Sequence, residues 1–127
     1  MYKINMTHVD DFIFNAQAKN HSFIIDAKSE KGICPSDLLL SSIGSCIGVY
    51  IQKYLKGTNI NLEKFDIAVN AEFTQENPVH FAEINVSINF KKTDFDEKRK
   101  NSILHFIKNC PIHHTLKLNP NINYTIY

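Results

Sequence analysis

The sequence predicts an α+β domain, and two patterns in it carry that expectation. Period-2 alternation of apolar residues recurs in several short segments, the signature of half-buried strands. Between them lie one long apolar run, Leu38 to Ile51, and a second stretch with an apolar stripe at helical spacing. At 127 residues and 14.6 kDa, the chain has the length of one ordinary domain, residues 1–127.

The elements follow in order. Tyr2 to Val9 alternates from the start. Phe12, Phe14, Ala16 and Ala18 then share one face, and Phe23, Ile25 and Ala27 another, with Asp10-Asp11 and Asn20-His21 as turns. These make an antiparallel three-stranded meander. Lys28 to Gly32 is a polar loop, after which Pro35 at a first helical position and Asp37 in the first turn open a helix that runs to about Lys56 and closes at Gly57. Two more strands carry Phe65, Ile67, Val69, Ala71 and Phe73, then Ile84, Val86, Ile88 and Phe90, separated by Gln75 to Pro78. Thr93 or Asp94 caps a second helix, Glu97 lies three residues beyond Asp94, and the stripe is Phe95, Ile103, Leu104 and Ile107. It ends at Asn109. A helical turn from Pro111 and a last strand, Asn121 to Tyr127, complete the order βββ-α-ββ-α-β.

Charge and composition exclude several functions. With 14 basic against 13 acidic residues, no general field attracts nucleic acid or an anionic membrane. Lys98-Arg99-Lys100 follows Asp94, Asp96 and Glu97 and reads as a solvated helix face. The N-terminus lacks the apolar stretch of a signal peptide, which points to the cytoplasm. The run Leu38 to Ile51 includes three serines and two glycines and falls short of the roughly 20 residues needed to span a bilayer. Three cysteines without a secretory signal argue against a structural disulfide framework and for reactive or buried thiols.

Those thiols differ in setting. Cys46, in mid-helix, gains little from the helix dipole and by itself reads as a core residue. Cys110 opens Cys110-Pro111-Ile112-His113-His114, an N-cap position where free backbone N–H groups favour a thiolate. His113 and His114, three and four residues on, come back over the preceding turn. No second Cys-x-x-Cys or Cys-x-x-His accompanies them, so the residues call for neither metal nor cofactor. Cys34 reads as an ordinary loop thiol. On the first helix, Ser41, Gly44, Ser45 and Gly48 form a face of little bulk, open either to the chain's own sheet or to another chain. A helix apolar all round also needs cover on every side.

The run Gly32-Ile33-Cys34-Pro35-Ser36-Asp37-Leu38-Leu39-Leu40-Ser41-Ser42-Ile43-Gly44-Ser45-Cys46, with the Cys110 motif, resembles the OsmC/Ohr family of organic hydroperoxide reductases. The resemblance covers nearly the whole chain and implies the OsmC-like fold as an intertwined homodimer whose central helices meet between sheets of both chains. It makes Cys46 the peroxidatic residue and Cys110 its resolving partner. The implied cycle consumes a hydroperoxide, entering past Leu39, Ile43 and Phe106, and a dithiol reductant, lipoyl-type or small. Two family features are absent. The sole arginine, Arg99, lies in the second helix, and the glutamate position ten residues before the helix cysteine is Ser36. The next residue, Asp37, lies ~14 Å along an ideal helix from Cys46 and nearly opposite it, so it reaches Cys46 only across a dimer; otherwise it complements the helix dipole. This pattern resembles a less characterised branch. A dimer that binds a small apolar ligand without catalysis, or a thiol redox sensor, are the alternatives.

Overall fold

The computed structural model describes residues 1–62 and 64–127. It divides into two compact units, residues 1–41 and 42–127, and the central helix runs through the boundary between them.

The first unit is built on the meander. Strands β1 (Asn5–Asp10), β2 (Ile13–Gln17) and β3 (Ser22–Asp26) pair antiparallel in the order β1-β2-β3. The register sets Met6 opposite Ala16 and Ala16 opposite Phe23, and a bulge falls between His8 and Asp10. Ala16 and Ile25 are the apolar side chains this sheet buries. Beyond β3 the chain folds around Asp26, the buried carboxylate of the unit. Its two oxygens accept the backbone N–H groups of Lys28 at 2.9 Å and Lys31 at 3.0 Å. Those bonds, Lys31 first, hold the Asp26 carboxyl below the ordinary carboxylate range. The loop thereby returns Ile33 to bridge Ile25, and Gly32 passes so close to the Ile24 carbonyl that a Cβ would strike it. From there Pro35 opens α1 (Pro35–Gly57), with Leu38 N–H donating to the Cys34 carbonyl at 3.0 Å.

In the second unit, β4 (Asp66–Phe73) and β5 (Phe81–Asn89) form an antiparallel hairpin that pairs Ile67 with Ile88 and Val69 with Val86. Phe73 and Phe81 stack at its end, centroids 4.4 Å apart. Helix α2 (Glu97–Ile107) is capped by Asp96, whose carboxylate accepts Arg99 N–H at 2.8 Å, rather than by Thr93 or Asp94. Lys100 N–H donates to the Asp96 carbonyl, so the first helical bond starts there. Helix α3 (Pro111–Lys117) follows with Cys110 at its N-cap.

The α+β class and the order βββ-α-ββ-α stand as expected, and the last strand differs. Residues 118–127 form no strand, and the alternating set Ile122, Tyr124 and Ile126 is exposed. Alternation specifies a face but supplies no neighbour, and a strand requires one for its backbone N–H and C=O groups.

Within the second unit α1 shows distinct faces. Ile43, Ile47, Ile51 and Leu55, four residues apart, form its buried stripe. Gly44 and Gly48 face β4: a Cβ on Gly44 would sit 3.0 Å from Val69 Cγ2, and one on Gly48 3.3 Å from Ile67 Cδ1. The expectation that this small-residue face meets a second copy of the helix is thus corrected for the two glycines, because the side chains of β4 fill the space they leave. Ser45 and Val49 point outward. By length and composition alone α1 is apolar enough to cross a membrane, but its glycine face lies on β4 and its cysteine is bonded to the start of α3, the placement of a core helix.

Candidate active site

A third face of α1 carries Cys46, Tyr50 and Tyr54, again four residues apart, and it meets α2 and the start of α3. Cys46 is joined to Cys110 by a disulfide across 64 residues of sequence, with Cα atoms 6.2 Å apart. Next along, Phe106 packs between Tyr50 and Tyr54, at centroid distances of 6.1 and 5.6 Å. Last, Arg99 donates from Nη1 to Tyr54 Oη at 3.0 Å and lies over the ring, 5.9 Å from its centroid. As numbers rise along α1 they fall along α2, so the helices pack antiparallel and the cysteines stand at the α3 end of one continuous seam.

The two cysteines differ in burial. Cys110 is 1% exposed and its N–H donates to the Ile107 carbonyl at 3.1 Å. Cys46 is half-buried, not sealed in the core.

The remaining site residues fall in three places. Ser36 and Asp37 belong to the first unit. Asp37 is exposed and its carbonyl accepts the Ser41 hydroxyl at 2.7 Å, which fits a first-turn carboxylate at a helix N-terminus. His113 and His114 lie on α3, their rings edge-on at 5.7 Å. Burial, with Lys117, His114 and Lys108 adding repulsion, pushes the His113 imidazole below its usual value, which favours the neutral ring. Arg99 departs from the solvated helix face that the Lys98-Arg99-Lys100 run predicts. It is half-buried and held by Tyr54, eight residues beyond Cys46 and therefore ~12 Å along α1. Of the residues expected at an apolar entrance, Ile43 is buried, Phe106 packs against the two tyrosines, and Leu39 is exposed in the first unit. Among the described residues no cluster of His, Cys, Asp and Glu is arranged to hold a metal.

The profile of the OsmC-like protein family matches residues 28–125. The chain belongs to that family. Among solved structures, an OsmC-like protein from Mycoplasma pneumoniae superposes with a TM-score of 0.79 at 21% identity, covering 92% of this chain and 87% of that one. A hypothetical protein from Aquifex aeolicus does so at 0.77 and 20%, covering 95% and 90%. The organic hydroperoxide resistance protein OhrB of Bacillus subtilis follows at 0.63 and 16%, covering 94% and 92%. These likenesses establish the OsmC-like fold. A search of curated proteins by sequence found no match. Tyr50 and Tyr54 also carry a signal in the sequence, since their spacing of four and eight residues from Cys46 places all three on one helix face.

Proposed function

We propose that the protein is a thiol-dependent organic hydroperoxide reductase in which Cys46 is peroxidatic and Cys110 resolving. The single observation that carries this reading is the Cys46–Cys110 disulfide, because it joins the two thiols that the proposed cycle requires to meet. In that cycle the Cys46 thiolate attacks the distal oxygen of ROOH, the O–O bond breaks, and the alkoxide leaves as an alcohol after taking a proton. Cys46 is then a sulfenic acid. The Cys110 sulfur attacks it, water departs, and the disulfide forms; a dithiol reopens it at the cost of its own oxidation. The difference in burial supports the division of roles, since the peroxide must reach the half-buried thiol while the resolving thiol need only reach its neighbour. We place this chemistry in a cytoplasmic homodimer, to which the exposed apolar residues of α1 and of the C-terminal segment offer surface.

The test is to expose Cys110→Ser protein to tert-butyl hydroperoxide with dimedone present. Dimedone addition at Cys46, with no peroxide turnover by Cys46→Ser, is the expected result. An unlabelled Cys46, or turnover that survives its loss, contradicts the assignment.

A further inference from the structure

Resting on the reading of Cys46 and Cys110 as a redox couple, we propose that Tyr54 and Arg99 are positioning residues for it: their contact fixes where α2 lies along α1 and so holds Cys110 opposite Cys46 when the disulfide is open. Cys110 is 64 residues from Cys46 in sequence, and no local signal brings it there. Its place is set by α2, whose last residue, Ile107, accepts the Cys110 N–H at 3.1 Å.

The Cys46 face of α1 is tied to α2 and Cys110 at three levels. The disulfide closes one end. In the middle, Phe106 lies against Tyr50 and Tyr54, an apolar contact without direction that leaves room for sliding. At the far end Arg99 Nη1 donates to Tyr54 Oη at 3.0 Å, and the guanidinium carbon lies 5.9 Å from the ring centroid. A hydrogen bond weakens steeply as its geometry departs from ideal, so this contact resists a slide that ring packing permits. Both partners are themselves held. Arg99 stands in the first turn of α2 with its N–H on the capping Asp96 at 2.8 Å, and the Tyr54 ring packs on Phe106.

Tyr54 is eight residues beyond Cys46 on the same face, ~12 Å along α1. Two directional anchors that far apart set both the slide and the tilt of α2, whereas one anchor leaves the helix free to pivot. When the disulfide is reduced the covalent anchor is lost and the Arg99–Tyr54 contact remains. How readily the disulfide forms again depends on how closely the two sulfurs are held, since a misplacement of about 1 Å can cost on the order of a hundredfold in rate. Arginine suits the task because one guanidinium both donates to the hydroxyl and covers the ring.

Glutathione is the probe. Cys34→Ser protein and its Tyr54→Phe, Arg99→Gln and doubly substituted variants are equilibrated in glutathione buffers of graded ratio, quenched in acid and alkylated. The fraction carrying the Cys46–Cys110 disulfide, read by mass spectrometry, gives the effective concentration of one thiol at the other. Val69→Ala, which loosens α1 at its β4 face instead, controls for a general loss of stability, and far-UV circular dichroism checks that each variant is folded. Each single substitution is expected to lower the effective concentration by about three- to tenfold. The double variant should fall no further than the larger single loss, and Val69→Ala should stay within about twofold of its parent. Unchanged values in folded Tyr54→Phe and Arg99→Gln, additive losses in the double variant, or an equal fall in Val69→Ala overturn the proposal. Tyr54→Phe removes a single oxygen, so the test stands even where Arg99→Gln fails to fold. No peroxide enters the measurement: a protein that does not reduce peroxide still gives a decisive answer, whereas a Cys46–Cys110 disulfide absent at every glutathione ratio removes the redox couple and the proposal with it.

Discussion

His113 is the residue at which environment most changes the expected role. A histidine three residues beyond a reactive cysteine suggests a cation, but burial, with Lys117, His114 and Lys108 adding repulsion, disfavours the charged form of this one. The linkage has a definite sign. A folded-state value below 6.5 means that the unfolded chain binds the proton more readily, so His113 favours unfolding as pH falls below about 6.5 and costs nothing above it. We expect the urea midpoint to fall between pH 7.5 and 5.5, and to fall less in His113→Gln, as followed by circular dichroism. An equal fall in both proteins would show that the charged imidazole is not disfavoured. Arg99 makes the complementary point. It is the sole guanidinium of the chain, and Tyr54 holds it ~12 Å along α1 from Cys46, so it offers no fork beside the thiol. Nothing in residues 94–100 announces Tyr54 as its partner, because that pairing depends on how two helices distant in sequence slide against each other.

At the scale of the elements, α1 organises the second unit by sorting its faces. Glycine on one face lets β4 approach, cysteine and tyrosine on another meet α2, and the isoleucine stripe is buried. The Gly44→Leu variant should therefore destabilise the protein by about 1–3 kcal/mol through overpacking against Val69. Val69→Ala in the same chain should recover part of that loss. Thermal unfolding of the two variants checks both statements, and a Gly44→Leu protein of unchanged stability contradicts the contact. Spacing in the sequence exposed the small-residue face but not its occupant, since a sheet and a second helix both fit a surface without bulk. The cap of α2 was hard to read for a similar reason: Thr93, Asp94 and Asp96 all carry capping side chains, and Glu97 stands at capping-box spacing from Asp94. Only the position of the first helical bond selects Asp96.

For the whole molecule, the α+β class and the OsmC-like family were legible because alternation, helix boundaries and the two cysteine contexts are all local signals. That residues 118–127 form no strand was not legible, because alternation marks a face while a strand exists only where a neighbour accepts its backbone bonds. Ile122, Tyr124 and Ile126 remain exposed in the single chain, as does Val49 on α1. A second copy covers such surface in the proposed homodimer, and sedimentation velocity at micromolar concentration should give the mass of two chains. A stable monomer would remove the dimer from the account.

Everything proposed about function converges on the seam between α1 and the α2–α3 junction, and one measurement addresses it directly. Reduced wild-type protein is treated with one equivalent of cumene hydroperoxide, its free thiols are alkylated, and its peptides are mapped by mass spectrometry without reduction. The expected result is loss of the peroxide, a crosslinked pair of peptides containing Cys46 and Cys110, and Cys34 alkylated in full. Oxidation confined to Cys34, or peroxide consumed with Cys46 and Cys110 both still alkylatable, would contradict it.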